Sequence, residues 1–186
     1  VRFEKGTLVG VPGRLASTLR GDPGEVLPAS RSTAEQSNTS IRYGEKLILK
    51  LFRRPSSGPN PDCEMVHHLS DECGFPNIPR FGGALEFVDR EGARFTLGML
   101  QELVASQGDG WTWSLEELRL YYEAHAVEPA PPALIEASKR PLLPLSEEPL
   151  PEAVAASMGL YLEAVATLGR RTAELGLDGV EINVEG

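Results

Sequence analysis

Over the first hundred residues, apolar positions come in short runs with a period of two, each closed by glycine or proline. Residues 7–11, 15–19 and 26–27 read as strands of an antiparallel sheet. The run "SIRYGEKLILKLF" follows. Residues 40–43 and 46–52 flank Gly44-Glu45, which predicts a hairpin between two short strands. Alternation places Leu47, Leu49 and Leu51 on one face, and Ile48, Lys50 and Phe52 on the other. Both faces are apolar, so this strand is expected to be central. Asn60 and Pro61 suit the N-cap and first position of a helix running to about Ser70, with Met65, Val66 and Leu69 as its apolar stripe. Residues 83–88 and 93–104 predict two more strands, joined by Asp89-Arg90-Glu91-Gly92.

The period changes after that point. Ser114, with Glu117 three residues on, forms a capping box for a helix over residues 115–125. The Gly108-Asp109-Gly110-Trp111 turn is expected to set where that helix begins. Residues 129–151 hold seven of the fifteen prolines and read as an extended connection. Residues 152–175 give the strongest helix, with Val154, Met158, Tyr161, Leu162, Val165 and Leu168 on one stripe. Residues 176–186 are left as a short tail with one strand. Strands first and helices afterwards predict an α+β fold.

Lys50 is the residue that asks for a reason. An ammonium between Ile48 and Phe52 costs several kcal/mol unless it snorkels to water, meets a carboxylate or meets an anionic ligand. Just before the strand, Gln36, Ser37, Asn38, Thr39 and Ser40 offer hydroxyls, amides and backbone N–H groups on a turn, suited to a polyanion such as a triphosphate. The plainer alternative is a sheet-edge lysine behind an ordinary polar turn.

Composition narrows the partners. The 186 residues suffice for one good-sized domain or two small ones, and 41% hydrophobic with 24% charged content is ordinary for a globular protein. A net charge of −9, with basic clusters no longer than pairs such as Arg53-Arg54 and Arg170-Arg171, argues against nucleic acid. No stretch reaches the length of a membrane span, and a reducing cytoplasm is the expected setting. Cys63, His67, His68 and Cys73 follow a Cys-x3-His-His-x4-Cys spacing that matches no standard zinc pattern, so no metal site is expected among them. His67 and His68 are expected on the helix surface, and His125 at a helix C-terminus, where its charge suits the dipole.

Five motifs, in order, carry a resemblance: "EQSNTS", "LILKLFRR", "GPNPDCE", "LQELVASQGDGW" and "LGRRTAEL". Together they resemble the N-terminal part of bacterial maltokinases, which phosphorylate maltose to maltose 1-phosphate with ATP and occur alone or fused to trehalose synthase. The resemblance runs from about Arg2 to Leu175. It implies an antiparallel β-rich cap over residues 1–30, a kinase N-lobe-like sheet with one helix over 31–104, and a helical segment over 105–186. Gln36, Ser37, Asn38, Thr39 and Ser40 would lie over the ATP phosphates. Lys50 would hold the α- and β-phosphates, with Glu64 as its helix partner. Gln101, Glu102 and Val104 would belong to a hinge whose backbone receives adenine. By angle on the helix, Asp62 lies nearer the apolar stripe than Glu64, so the choice of Glu64 rests on the resemblance.

The family's His-Gly-Asp and Asp-Phe-Glu motifs, which supply the base and the Mg²⁺ ligands from a C-terminal lobe, do not occur here. The expectation is half an active site, inactive alone: either a maltokinase N-terminal region or a non-catalytic module that binds a nucleotide or a protein.

Overall fold

The computed structural model describes residues 1–31 and 38–177. Gln36 and Ser37, and the expected strand in the tail, lie outside them. The chain divides into two compact units, Val1–Ala105 and Ser106–Gly186. The fold is α+β.

The first unit is built on one antiparallel sheet. Its strands are β1 (Arg2–Phe3), β2 (Gly6–Pro12), β3 (Ala29–Arg31), β4 (Asn38–Tyr43), β5 (Leu47–Phe52), β6 (Phe81–Asp89) and β7 (Arg94–Glu102). They lie in the order β1-β2-β6-β7-β5-β4-β3. The segments expected as cap and N-lobe sheet thus share a single sheet, because β2 pairs with β6 along its whole length. Both predicted hairpins form. Gly44 takes φ 57° in the β4–β5 turn, a conformation costly for residues with a Cβ. In the β6–β7 turn the Asp89 carboxylate accepts from the N–H groups of Glu91 and Ala93.

Helix α2 (Pro61–His67) starts as predicted, with the Asn60 side chain accepting from the Asp62 and Cys63 N–H groups. Of the expected stripe, Val66 and Leu69 turn inward and Met65 does not. Cys63 and Val66 pack against Phe81, Met99, Ala84 and Phe52, and Met65 points outward. Residues 63 and 66 are three apart and share a face. Beyond them Leu69 and Ser70, on the same side, are buried in a π-helical turn (His68–Glu72). Met99, the most enclosed side chain, contributes about 2 kcal/mol by its burial.

Residues 15–19 are helical rather than extended, forming α1 (Ala16–Arg20) with Leu19 buried, and residues 26–27 form no strand. The Arg14 N–H donates to the Asp71 carboxylate at 2.8 Å, which anchors the start of α1 to the end of α2. Arg20 then wraps the following loop by donating to the carbonyls of Asp22, Pro23 and Glu25. Leu49, Leu85 and Leu100 line an open groove of about 480 Å³ on the sheet face away from α2.

The second unit pairs α3 (Gly110–His125) with α6 (Glu152–Leu177). Trp113 and Tyr161 stack with centroids 5.2 Å apart, and the Tyr161 hydroxyl donates to Ser114 Oγ. The N-cap of α3 is Asp109, whose side chain accepts from the Thr112 N–H at 2.8 Å. A carboxylate is the stronger acceptor and reaches the free N–H groups first, so Ser114 sits inside the helix and donates back to the Gly110 carbonyl. The proline-rich stretch is not extended. Pro132 opens α4 (Pro132–Ala137) and Pro141 caps α5 (Leu142–Ser146), since proline is accepted in a first helical turn. α6 bends at Met158 (φ −127°, ψ 21°). Of its expected stripe, Val154, Met158, Tyr161 and Leu162 are half-buried, whereas Val165 and Leu168 are exposed.

Two outcomes follow for stability. A Cβ at Gly98 would stand 2.7 Å from the Lys50 carbonyl, which belongs to the backbone of β5 and cannot move alone. Gly98→Ala is therefore expected to lower unfolding free energy by about 2 kcal/mol in urea titration. Asp109→Ala should lower the far-ultraviolet helical signal and its melting temperature, while Ser114→Ala leaves both near the wild-type values.

Candidate functional site

Lys50 lies mid-strand on β5, opposite Ser40 on β4 and Met99 on β7. Residues directly opposite in an antiparallel pair share a face. Met99 packs against Cys63 of α2, so Lys50 emerges on the face that α2 covers. Ser40 and Met99 are buried beside it, and Lys50 is half-buried. Among the described residues no carboxylate lies within ion-pair distance of its ammonium. Lys46, four residues earlier, does meet one, at 2.5 Å from Glu25. The site thus presents a positive charge on a largely apolar face with a hydroxyl next to it.

The register sorts the other candidate residues. Asn38 and Ser40 are on the Lys50 face, opposite Phe52 and Lys50. Thr39 pairs with Leu51 and points to the other side. All three belong to β4 rather than to a turn. Among the described residues β3 pairs with Ile41, Arg42 and Tyr43 of β4. The Asn38 carbonyl accepts from Arg53. Gln101 pairs with Ile48, lies on the Lys50 face and is buried. Glu102 pairs with Leu47 and lies on the opposite face.

Glu102 has a different employment. Its carboxylate receives both Nε and Nη2 of Arg80, at 2.8 and 2.6 Å, in a forked ion pair. The hydrogen bonds from Arg80 hold its carboxyl below the ordinary value of 4.5. In the backbone after β7, the Glu102 N–H donates to the Arg80 carbonyl and the Leu103 N–H to the Lys46 carbonyl. Val104 is exposed, and among the described residues no acceptor takes its N–H.

Glu64 and Asp62 are both exposed on α2, and neither reaches Lys50 as an ion pair. α2 turns Cys63, between them, toward the sheet. Burial pushes the Cys63 thiol up to about 11, and the carboxylates of Glu86, Glu64 and Asp62 add to the effect. Glu86 was not foreseen. It stands two residues beyond Ala84 on β6 and pairs with Arg94 at 2.7 Å. Strand alternation from Ala84 would have found it. No group of three or more His, Cys, Asp or Glu side chains suited to a metal ion occurs among the described residues.

The chain matches no model of a known protein family.

The Arg80–Glu102 pair makes a pH-dependent contribution with a defined sign. Its folded carboxyl value lies below 4.5, so in that window the unfolded chain binds more protons than the folded one. The contribution is therefore complete above 4.5 and lost as pH falls through the folded value. Wild-type protein should lose more stability than Glu102→Gln on acidification below pH 4.5, by urea titration at successive pH values. Equal slopes would show that the pair adds nothing.

Proposed function

We propose that this chain is the N-terminal region of an ATP-dependent maltokinase that converts maltose to maltose 1-phosphate in the route from trehalose to α-glucan. The observation that supports this most is Lys50. A central-strand ammonium, half-buried under α2 and without a described carboxylate, is suited to a ligand that brings its own negative charge. Ser40 and Asn38 stand on the same face. Triphosphate oxygens are acceptors, and these groups include the donors they need. Gln36 and Ser37, outside the described residues, would complete the loop over the phosphates.

In this proposal Lys50 holds the α- and β-phosphates, and the γ-phosphoryl group passes to the anomeric hydroxyl of maltose, leaving ADP. Val104, with its unengaged N–H, is the best-placed hinge donor to adenine, and Gln101 lines the site from β7. Glu64 takes the part of helix partner only if α2 rotates or its side chain swings inward on binding. The residues around Lys50 suit phosphate, and among the described residues no group of three or more carboxylate, His or Cys side chains stands ready for Mg²⁺. By resemblance, its ligands and the catalytic base belong to a C-terminal lobe. A cytoplasmic location, with trehalose synthase as a fused or associated partner, goes with this proposal. No helix among the described residues is long and apolar enough to cross a membrane.

Two measurements test it. ATP should bind this chain with a roughly millimolar Kd, and Lys50→Met should abolish binding by calorimetric titration. In a protein that joins this chain to the catalytic lobe, Lys50→Met should lower kcat on the order of a hundredfold while the melting temperature holds. Undiminished ATP binding and turnover in Lys50→Met would overturn the assignment.

A further inference from the structure

α2 does not end as an ordinary helix. Over His68–Glu72 its backbone widens into a π turn, closed by the Cys73 N–H donating to the His68 carbonyl at 2.9 Å. In an α-helix, residues five apart point about 140° away from one another. The π turn brings them to one side, and such turns, rare in general, are frequent at functional sites. Here it places Cys73 Sγ 3.3 Å from His68 Nε2, while His68 Nδ1 lies 2.6 Å from Glu72 Oε2.

The proton positions follow from the partners. A carboxylate only accepts, so Nδ1–H donates to Glu72 and Nε2 turns its lone pair toward the thiol. Thiol, imidazole and carboxylate in that order form a nucleophile, its base and the group that orients the base. Cys73 is exposed, so reagents reach the sulfur from solvent. None of the three side chains belongs to the Lys50 site.

We propose that Cys73 is a nucleophilic modification site that forms a mixed disulfide with a small neutral or cationic disulfide. The Cys73 S–H proton passes to His68 Nε2, and the sulfur attacks one sulfur of the reagent. A new S–S bond forms, the reagent's S–S bond breaks, and the departing thiolate takes the proton from His68. One protein thiol is oxidised to the disulfide level and one half of the reagent is reduced to a thiol. The charge preference comes from Glu72 at the site and the net charge of −9, which together repel an anionic disulfide. Asp71 is turned inward, bonded to the Arg14 N–H and the Ser70 hydroxyl, so that Glu72 is the carboxylate bonded to His68.

Cys63 is an internal control, since it is buried and its thiol is pushed up to about 11. The test is to treat the purified chain with cystamine or oxidised glutathione and follow adducts by intact mass and peptide mapping. One adduct is expected, at Cys73, formed faster with cystamine than with oxidised glutathione. His68→Asn should slow it by about tenfold, and Glu72→Gln by less, because Glu72 acts only through His68. Should His68→Asn fail to fold, Cys73 in the urea-unfolded wild-type chain serves as the unassisted reference, and should react about tenfold more slowly than in the folded chain. Equal rates at Cys73 with and without His68, or in folded and unfolded chain, would overturn the site. A faster reaction with oxidised glutathione would overturn the charge preference.

Discussion

The contact between α2 and the sheet at Met99 is the interaction on which the first unit depends. Met99 sits on β7 between β5 and β6, and Cys63, Phe81, Phe52, Val66 and Ala84 close over it. This packing decides which face of β5 is covered. Because Lys50 is directly opposite Met99, it also decides that the ammonium emerges beside the helix rather than on the grooved side of the sheet. Moving α2 would move the site, so fold and proposed function share one set of contacts.

The same face continues past α2. Leu69 and Ser70 stand three and four residues after Val66 and share its side of the helix, and the Phe81 N–H donates to the Ser70 hydroxyl at 2.9 Å. The π turn that spans them sets Cys73 against His68. One local adjustment thus joins the core packing to the chemistry of an exposed thiol.

Much of the sheet was legible in the sequence, since strand period, the Gly44 and Gly92 turns and the Asn60-Pro61 helix start are local signals. Register between strands is not local. Alternation along β5 fixed the face of Lys50, but that Thr39 and Glu102 fall on the opposite face follows only from which residues of β4 and β7 pair with β5. The run at residues 15–19 has too few residues to separate periods of two and 3.6, and its helix is held by Asp71, 57 positions from Arg14. In the second unit two capping residues competed, and the carboxylate of Asp109 prevailed over the hydroxyl of Ser114. The proline-rich stretch is not extended because Pro132, with its fixed φ, suits the first helical position and Pro141 stands just before a helix. Alternation along β6 puts Glu86 on the Ala84 face, but its nearness to Cys63 depends on α2 packing over that face, which is not a local signal.

The central claim is that the charge of Lys50 is there for phosphate. A crystal structure of the chain with a non-hydrolysable ATP analogue tests this directly. Oxygens of the α- and β-phosphates are expected within hydrogen-bonding distance of the Lys50 ammonium, beside Ser40 and under α2. Phosphates held elsewhere, with Lys50 paired to a carboxylate of this chain, would contradict it.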